Sequence, residues 1–293
     1  MTIKIENCQI FLEVFNKMSI KVIDKLDNRI DLQWKNTSSI FLNTLRRIMI
    51  SDIPTIAIDK IELEENSSPM NDEFMAHRIG LIPIRCERDV SSIPYQHECT
   101  CKNGCHECNF EFILEKENKD NDDLVGVYSS DFVTVFNPKH NFNVVTYPIF
   151  EQGILICKLA RGQKIKLKAI AIKGTGKEHS KWSSVSCVSF VDKPNIKIKN
   201  LSSDLKDTII NSCPTNVYKE TNGKLVVNNE NNCTYCMECV NKSNNQIEVG
   251  FSQKNFIMTI ESNGSIDPLT ILKNSLVIWK DKIKFLNEQI HHI

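Results

Sequence analysis

Neither sign of charge is in excess in this sequence of 293 residues, which has 36 Lys and Arg against 36 Asp and Glu. Proteins that hold nucleic acid on their own usually carry a basic surplus, because contacts with phosphates dominate their affinity. The neutral balance therefore argues against stand-alone binding of DNA or RNA and favours protein partners.

Long apolar runs are also lacking. No stretch approaches the roughly 18 to 20 residues that a membrane-spanning helix needs. The first ten residues, which include Lys4 and Glu6, do not form the apolar core of a signal peptide. We therefore expect a soluble protein inside the cell, where cysteines stay reduced.

Catalytic motifs are missing as well. Gly174-Thr175-Gly176-Lys177 resembles the end of a phosphate-binding loop, but Glu178 stands where that motif needs Ser or Thr. The seven histidines have no nucleophile motif beside them. The sequence therefore predicts no catalytic residue.

Cysteine, by contrast, is abundant: there are twelve, and eight of them fall into two groups. The first group has the spacing Cys99-x-Cys101-x3-Cys105-x2-Cys108, within a loop over 97–108. Four thiolates suit a tetrahedral Zn²⁺, and a site closed by four protein ligands is structural. His97 and His106 are candidate substitute ligands, and free thiols in a metal-free loop are the alternative.

The second group consists of Cys213, Cys233, Cys236 and Cys239. The run Cys233-x2-Cys236-x2-Cys239 and the dipeptide Cys213-Pro214 are typical of bacterial-type ferredoxins, so the group predicts one site for a 4Fe–4S cluster. A second zinc site and a degenerate insert without metal stay open as alternatives. We expect the other four cysteines to pack as small core residues: Cys8, Cys86, Cys157 and Cys187.

Hydrophobic periodicity predicts a helix towards each end of the chain. Phe41, Leu45, Ile48 and Met49 form one face of a helix over 38–51. In a helix over 267–290, capped by Asp267 and Pro268, apolar residues recur at alternating spacings of three and four. These residues, which we call the C-terminal seam, are Leu269, Leu272, Leu276, Trp279, Ile283, Leu286 and Ile290. Such a seam is typical of a helix that packs lengthwise on another, so we expect a second subunit to cover it. Docking on the chain's own sheet is the alternative.

Between these helices the pattern is mostly β. A short helix is predicted over 71–80, and Lys164, Lys166 and Lys168 fall on one face of a predicted strand. We expect that face to be a solvated sheet surface rather than a binding site. The predicted strands cover about 3–15, 28–34, 56–63, 110–114, 125–128, 154–160, 164–172, 185–191, 246–251 and 256–261.

Several stretches, in order along nearly the whole chain, resemble the alpha-like subunits of multisubunit DNA-directed RNA polymerases from archaea and eukaryotes. Residues 43–48 are similar to the family's first helix, 74–84 to its most specific stretch, and 176–183 to the return from its inserted domain. The first cysteine group matches the zinc loop of the third-largest subunit of eukaryotic RNA polymerase II. The second resembles the ferredoxin-like insert found in archaeal members of the family.

The resemblance implies an α+β fold with a split dimerisation domain, made of an antiparallel sheet plus two helices. An inserted mostly-β domain would bear the zinc loop, and a small ferredoxin-like insert would follow it. The implied boundaries are 1–52, 182–205 and 246–293 for the dimerisation domain, 53–181 for the inserted domain and 206–245 for the ferredoxin-like insert.

The resemblance also implies a non-catalytic assembly subunit, with little or no direct binding to nucleic acid and none to membranes. It would form a heterodimer with a smaller alpha-like subunit, seat the second-largest subunit and join other core subunits. Its location would follow the polymerase: the nucleus of a eukaryotic cell, or the cytoplasm or virion for an archaeal or viral protein. The implied interface residues are Asn43, Leu45, Arg46 and Arg47 on the first helix, and Leu269, Leu272, Leu276, Trp279, Ile283 and Leu286 on the last.

Two other functions compete with this interpretation. One is a ferredoxin-like electron-transfer protein with an appended zinc domain, which explains the second cysteine group but not the C-terminal seam. The other is a zinc-containing adaptor unrelated to transcription, which explains the first group but not the stretches 43–48 and 74–84.

Overall fold

The computed structural model describes residues 18–86, 90–101, 104–119, 122–135, 144–146, 153–199 and 205–290, with backbone alone for 144–146. The strands are β1 (Ser19–Lys25), β2 (Arg29–Lys35), β3 (Pro54–Asn66), β4 (Ile84–Cys86), β5 (Asn109–Asn118), β6 (Val125–Tyr128), β7 (Val133–Thr134), β8 (Val144–Thr146), β9 (Leu155–Leu159), β10 (Gln163–Thr175), β11 (Val185–Ile198), β12 (Tyr218–Thr221), β13 (Lys224–Val227) and β14 (Ile247–Ser262). The helices are α1 (Ser39–Ser51), α2 (Asp72–Gly80), α3 (Lys206–Ser212), α4 (Glu238–Lys242) and α5 (Pro268–Ile290). The class is α+β, as predicted.

Two four-stranded sheets organise these elements. The first has the order β1-β2-β14-β11 and joins strands from both ends of the chain, and the second has the order β3-β10-β5-β7. Two-stranded sheets are formed by β12-β13, β4-β8 and β6-β9. No helix in the described ranges is long and apolar enough to span a membrane.

β10 is a central strand of the second sheet, with β3 and β5 antiparallel along its two sides. Because side chains alternate along a strand, one face of β10 packs into the core and the other carries the three lysines. Lys164 lies 3.1 Å from Glu115, and Lys168 lies 3.1 Å from Glu111. The lysine face is thus a salt-bridged surface, as expected of a solvated sheet.

The Gly-Thr-Gly-Lys stretch at the end of β10 packs against the end of α1. A Cβ on Gly176 would lie 2.1 Å from the carbonyl oxygen of Ile50, so only glycine fits. The N–H of Lys177 donates to the carbonyl of Ser51 at 2.9 Å, which satisfies a free acceptor at the helix end. This turn has a packing role, in agreement with the rejection of a phosphate loop.

The described residues divide into two compact units, each built from several segments. One unit contains residues up to 24, 31–43 and 189–259, and the other contains 25–30, 44–188 and 260–290. The second unit has a large apolar core under the β10 sheet, while the first has a smaller one around α3 and α4. The predicted domain boundaries stay a prediction.

Three expectations about individual elements need correction. The predicted strands 246–251 and 256–261 form one strand, β14, because its neighbours β2 and β11 pair with both its edges. β1 lies between the first two predicted strands, and the predicted strand 3–15 is outside the described residues.

Cys187 is exposed on the edge strand β11 rather than packed in a core, whereas Cys157 is buried as expected and Cys86 is half-buried. Cys8 lies outside the described residues.

Candidate functional site

The first cysteine group gathers at one point. Sulfur–sulfur distances are 3.6 Å for Cys99 and Cys105, 3.5 Å for Cys101 and Cys108, and 3.9 Å for Cys105 and Cys108. All four sulfurs lie within 4.8 Å of one another. Tetrahedral zinc with Zn–S bonds of about 2.3 Å separates its sulfurs by about 3.8 Å. The group therefore has the dimensions of a single zinc site. Its members do not include His97, which stacks on Tyr95, or His106.

Local turns create this arrangement. The N–H groups of Cys108 and Asn109 both donate to the carbonyl of Cys105, at 3.2 and 2.9 Å, so the chain turns back on itself between the two cysteines. Gly104, with a φ of +92°, makes the turn before them. A Cβ at this position would also lie 2.0 Å from the side-chain nitrogen of Asn109, so the loop needs glycine there.

The thiols of this group differ in acidity. The N–H of Glu107 donates to the sulfur of Cys105 at 3.4 Å, and this hydrogen bond, together with weaker ones from the other cysteines of the group, lowers the pKa of Cys105 from 9.0 to about 7. Burial raises the pKa of Cys108 to about 12. Because zinc binds thiolates, Cys105 is the member of this pair whose thiol is ready to bind metal at neutral pH.

The second cysteine group surrounds a space instead of a point. Cys213, Cys233, Cys236 and Cys239 line one cavity together with Tyr218. Within the described ranges only the first group has three or more metal-binding side chains with ligand atoms inside 4.8 Å, so the second is more open. The cavity is small: the centre of a water-sized sphere can occupy only about 10 Å³ of it. The four ligands are correct in type for a 4Fe–4S cluster.

Apolar packing holds the second group in place. Cys239 is 7% exposed and belongs to the same small core as Tyr218, and Cys213 and Cys233 pack against that core. The hydroxyl of Tyr218 donates to the sulfur of Cys239 at 3.2 Å. The positions of these cysteines are therefore fixed by the fold of the segment around α3 and α4.

The backbone around the second group also points towards its sulfurs. The N–H of Val217 donates to the sulfur of Cys213 at 3.4 Å. Burial alone would raise the pKa of Cys213, but this and neighbouring N–H groups outweigh burial and lower it. Between the last three cysteines, Tyr235 and Met237 have φ values of 57° and 61°, a left-handed conformation that is uncommon outside glycine and often found at functional sites.

The interface residues predicted on α1 differ in exposure. Asn43 and Arg47 are exposed and Arg46 is half-buried, whereas Leu45 is fully buried within the chain. Ile40, which the prediction omitted, is 79% exposed. Ile40 lies off the apolar stripe of α1. An isoleucine outside that stripe is the sequence signal that could have indicated an exposed apolar contact on α1.

The C-terminal seam is covered at its start and exposed at its end. Leu272 is buried, whereas Leu286 and Ile290 are 57% and 47% exposed. The last turns of α5 therefore present an apolar surface, which Phe285 widens. Leu269, at the start of the seam, is half-buried. The seam residues between Leu272 and Leu286 are half-buried too: Leu276, Trp279 and Ile283.

Known proteins resemble this chain over most of its length. Residues 56–188 match the family model described as the RNA polymerase Rpb3/RpoA insert domain. The chain is 33% identical over 279 residues to the DNA-directed RNA polymerase subunit Rpo3 of Methanosphaera stadtmanae, which covers 93% of this chain and 100% of that protein. It is 35% identical over 286 residues to the DNA-directed RNA polymerase II subunit rpb3 of Dictyostelium discoideum (88% and 93% covered). Over 287 residues it is 34% identical to the subunit 3 of DNA-directed RNA polymerases II, IV and V of Arabidopsis thaliana (90% and 88% covered).

Proposed function

The chain belongs to the Rpo3/Rpb3 family of DNA-directed RNA polymerase subunits, and from this membership we propose that it nucleates assembly of a polymerase through the exposed sides of α1 and α5. It is a non-catalytic subunit of that enzyme. The observation that carries this conclusion is an identity of about one third over nearly the full length of named polymerase subunits. The same extent leaves the electron-transfer alternative without support.

The proposed partner of α1 and α5 is a smaller alpha-like subunit, which would complete a heterodimer. The exposed apolar side chains of Ile40, Leu286 and Ile290 support this proposal, since a helix that packs on its partner needs such contacts. Asn43 and Arg47, the exposed polar residues of α1, are the proposed contacts with the second-largest subunit, together with Arg46. The proposed location is that of the polymerase, whether the nucleus, the cytoplasm or a virion.

Purification from the native source tests the proposal. The chain should be tagged and its partners identified by mass spectrometry. We expect both large polymerase subunits and a small alpha-like chain in the same sample. Recovery with redox enzymes and without polymerase subunits would contradict it.

A variant of the C-terminal seam tests the proposed heterodimer. Leu286→Asp should abolish recovery of the small subunit, because a carboxylate buried in an apolar interface costs several kcal/mol, about 3 or more. The isolated chain should fold normally, since Leu286 is exposed in it. Val277→Asp is the matched control, because Val277 is equally exposed on α5 but lies off the seam. Equal recovery of the small subunit with both variants would contradict the proposed interface.

We also propose that the two cysteine groups are structural metal sites. The first would hold one zinc ion, which would cross-link the loop around Cys99, Cys101, Cys105 and Cys108. The second would hold a 4Fe–4S cluster on Cys213, Cys233, Cys236 and Cys239, as supported by the ferredoxin-type spacing and the N–H groups aimed at Cys213. Neither site takes part in RNA synthesis in this proposal.

Metal analysis after anaerobic purification tests both sites. About one zinc and about four iron per chain are expected. Cys236→Ser should remove the iron and leave the zinc and the rate of RNA synthesis unchanged. About two zinc ions and no iron would replace the cluster in this proposal with a second zinc site.

A further inference from the structure

A lysine ends the core-facing row of β10. The row contains Ile165, Leu167, Ala169 and Ala171, all buried, and two residues later it continues with Lys173, which is 7% exposed. An ammonium group at such a position is costly unless the surrounding groups compensate it. An apolar side chain of the same length would fill the space without that cost.

Three groups in the segment leading into the cysteine loop contact the ammonium of Lys173. Its Nζ donates to the carbonyl of Ile93 at 2.6 Å and to that of Ser91 at 3.3 Å. The same atom lies 4.4 Å from the centre of the Tyr95 ring, well inside the distance of a cation–π contact. Lys173 thus ties residues 91–95 to the central strand of the sheet.

Tyr95 in turn begins the turn that places the first ligand. Its carbonyl accepts the N–H groups of Glu98 and Cys99, at 3.1 and 3.0 Å. Tyr95 and Lys173 also line one cavity with Cys101 and Gly104, which belong to the loop itself. A continuous set of contacts therefore runs from β10 through Lys173 and Tyr95 to Cys99.

We infer that Lys173 is a positioning residue for the first cysteine group and acts through Tyr95 to set how firmly the loop keeps its metal. The inference rests on the proposal that this group holds zinc. Local turns fix Cys105 and Cys108 relative to each other, whereas the position of Cys99 depends on residues 91–95, which precede the loop. Lys173 fixes the position of that segment.

The test compares zinc release from two methionine variants on the same strand. Lys173→Met should release zinc to an excess of chelator about tenfold faster than the wild type, equivalent to about 1.4 kcal/mol. This lies between the values typical of exposed and of desolvated cation–π contacts. Lys168→Met is the control, because Lys168 lies on the opposite, salt-bridged face of β10, and it should release zinc at the wild-type rate.

A second variant keeps the test decisive if Lys173→Met does not fold. Tyr95→Leu removes the ring but leaves Lys173 its two carbonyl partners, and it should also speed zinc release and amide exchange in residues 97–101. Folded variants that release zinc at the wild-type rate would overturn the inference about Lys173 but not the zinc proposal. A wild-type protein that holds no zinc would overturn the zinc proposal and the inference together.

Discussion

The two cysteine groups solve the same problem by different means. In the first, four cysteines lie within ten residues of sequence, and turns through Gly104 and Cys105 bring them together. In the second, Cys213 lies twenty positions before Cys233, and packing of a small apolar core brings them to one cavity. Cysteines that are close in sequence thus form a compact group the size of one ion. Cysteines that are brought together by core packing form a more open group.

The two groups also differ in what orders them. In the first group, three of the four cysteines are only half-buried, and Cys108 alone is fully buried. A loop of this kind gains little from burial, so a bound metal would supply most of its stability. The second group includes Cys239, a core residue, and its surroundings are ordered by apolar contacts whether or not metal is present.

Metal removal should therefore separate the two regions, and this is the largest effect we expect. Under reducing conditions with chelator, amide exchange in residues 97–101 and 104–108 should rise by about two orders of magnitude. That corresponds to a small part of the roughly 10 kcal/mol apparent binding energy of structural zinc. Residues 206–247 should keep most of their protection. Equal loss of protection in both regions would mean that metal orders them to the same degree.

Thiol reactivity in the metal-free protein should differ within each group as well. A pKa of about 7 means that Cys105 becomes thiolate as the pH rises through 7 and loses this form below it. Cys108, with a pKa of about 12, stays a thiol at neutral pH. Alkylating reagents attack thiolates, but a more acidic thiol gives a less nucleophilic thiolate. The two effects together predict that Cys105 is labelled about 100-fold faster than Cys108 at pH 7.5, as measured by mass spectrometry of peptides.

The second group should show the same contrast between Cys213, whose pKa is lowered, and Cys233, whose pKa is raised by burial. Zinc-loaded protein is the control for the first group, because its bound thiolates should be protected. Uniform labelling of all four thiols in a group would contradict the assignment for that group.

The smallest effect concerns a single hydrogen bond. Tyr218→Phe removes the hydroxyl that donates to Cys239 and should lower the free energy of unfolding by about 1 kcal/mol. Tyr235→Phe, which removes a 2.8 Å hydrogen bond to the carbonyl of Asp192, should cost about the same. Only Tyr218→Phe should change how fast Cys239 is labelled in the metal-free protein. An equal change with both variants would mean that general loosening, rather than this contact, protects Cys239.

Periodic segments could be predicted from the sequence. α1, α2 and α5 have the expected type and nearly the expected bounds, because apolar spacing and caps such as Asn71 act locally. The strands on both sides of β10 could also be predicted from alternation. β14 could not, since its polar middle resembles a turn until neighbouring strands pair with it.

The candidate site was predictable in membership but not in geometry. Spacing alone groups the eight cysteines, yet only the folded chain shows that one set is compact and the other open. Leu45 is buried and Ile40 exposed because tertiary packing decides which side of α1 is covered. Lys173 could have been noticed, since it continues the apolar alternation of β10, but its contacts with Ile93 and Tyr95 depend on the fold.

The exposed end of α5 has a consequence for the abundance of the protein in the cell. Leu286, Ile290 and Phe285 form the kind of apolar surface that quality-control proteases and chaperones act on in unassembled chains. Copies made in excess of their partner should be degraded, and covering the helix would extend their lifetime. The amount of the proposed heterodimer would then be limited by whichever of its two chains is synthesised more slowly.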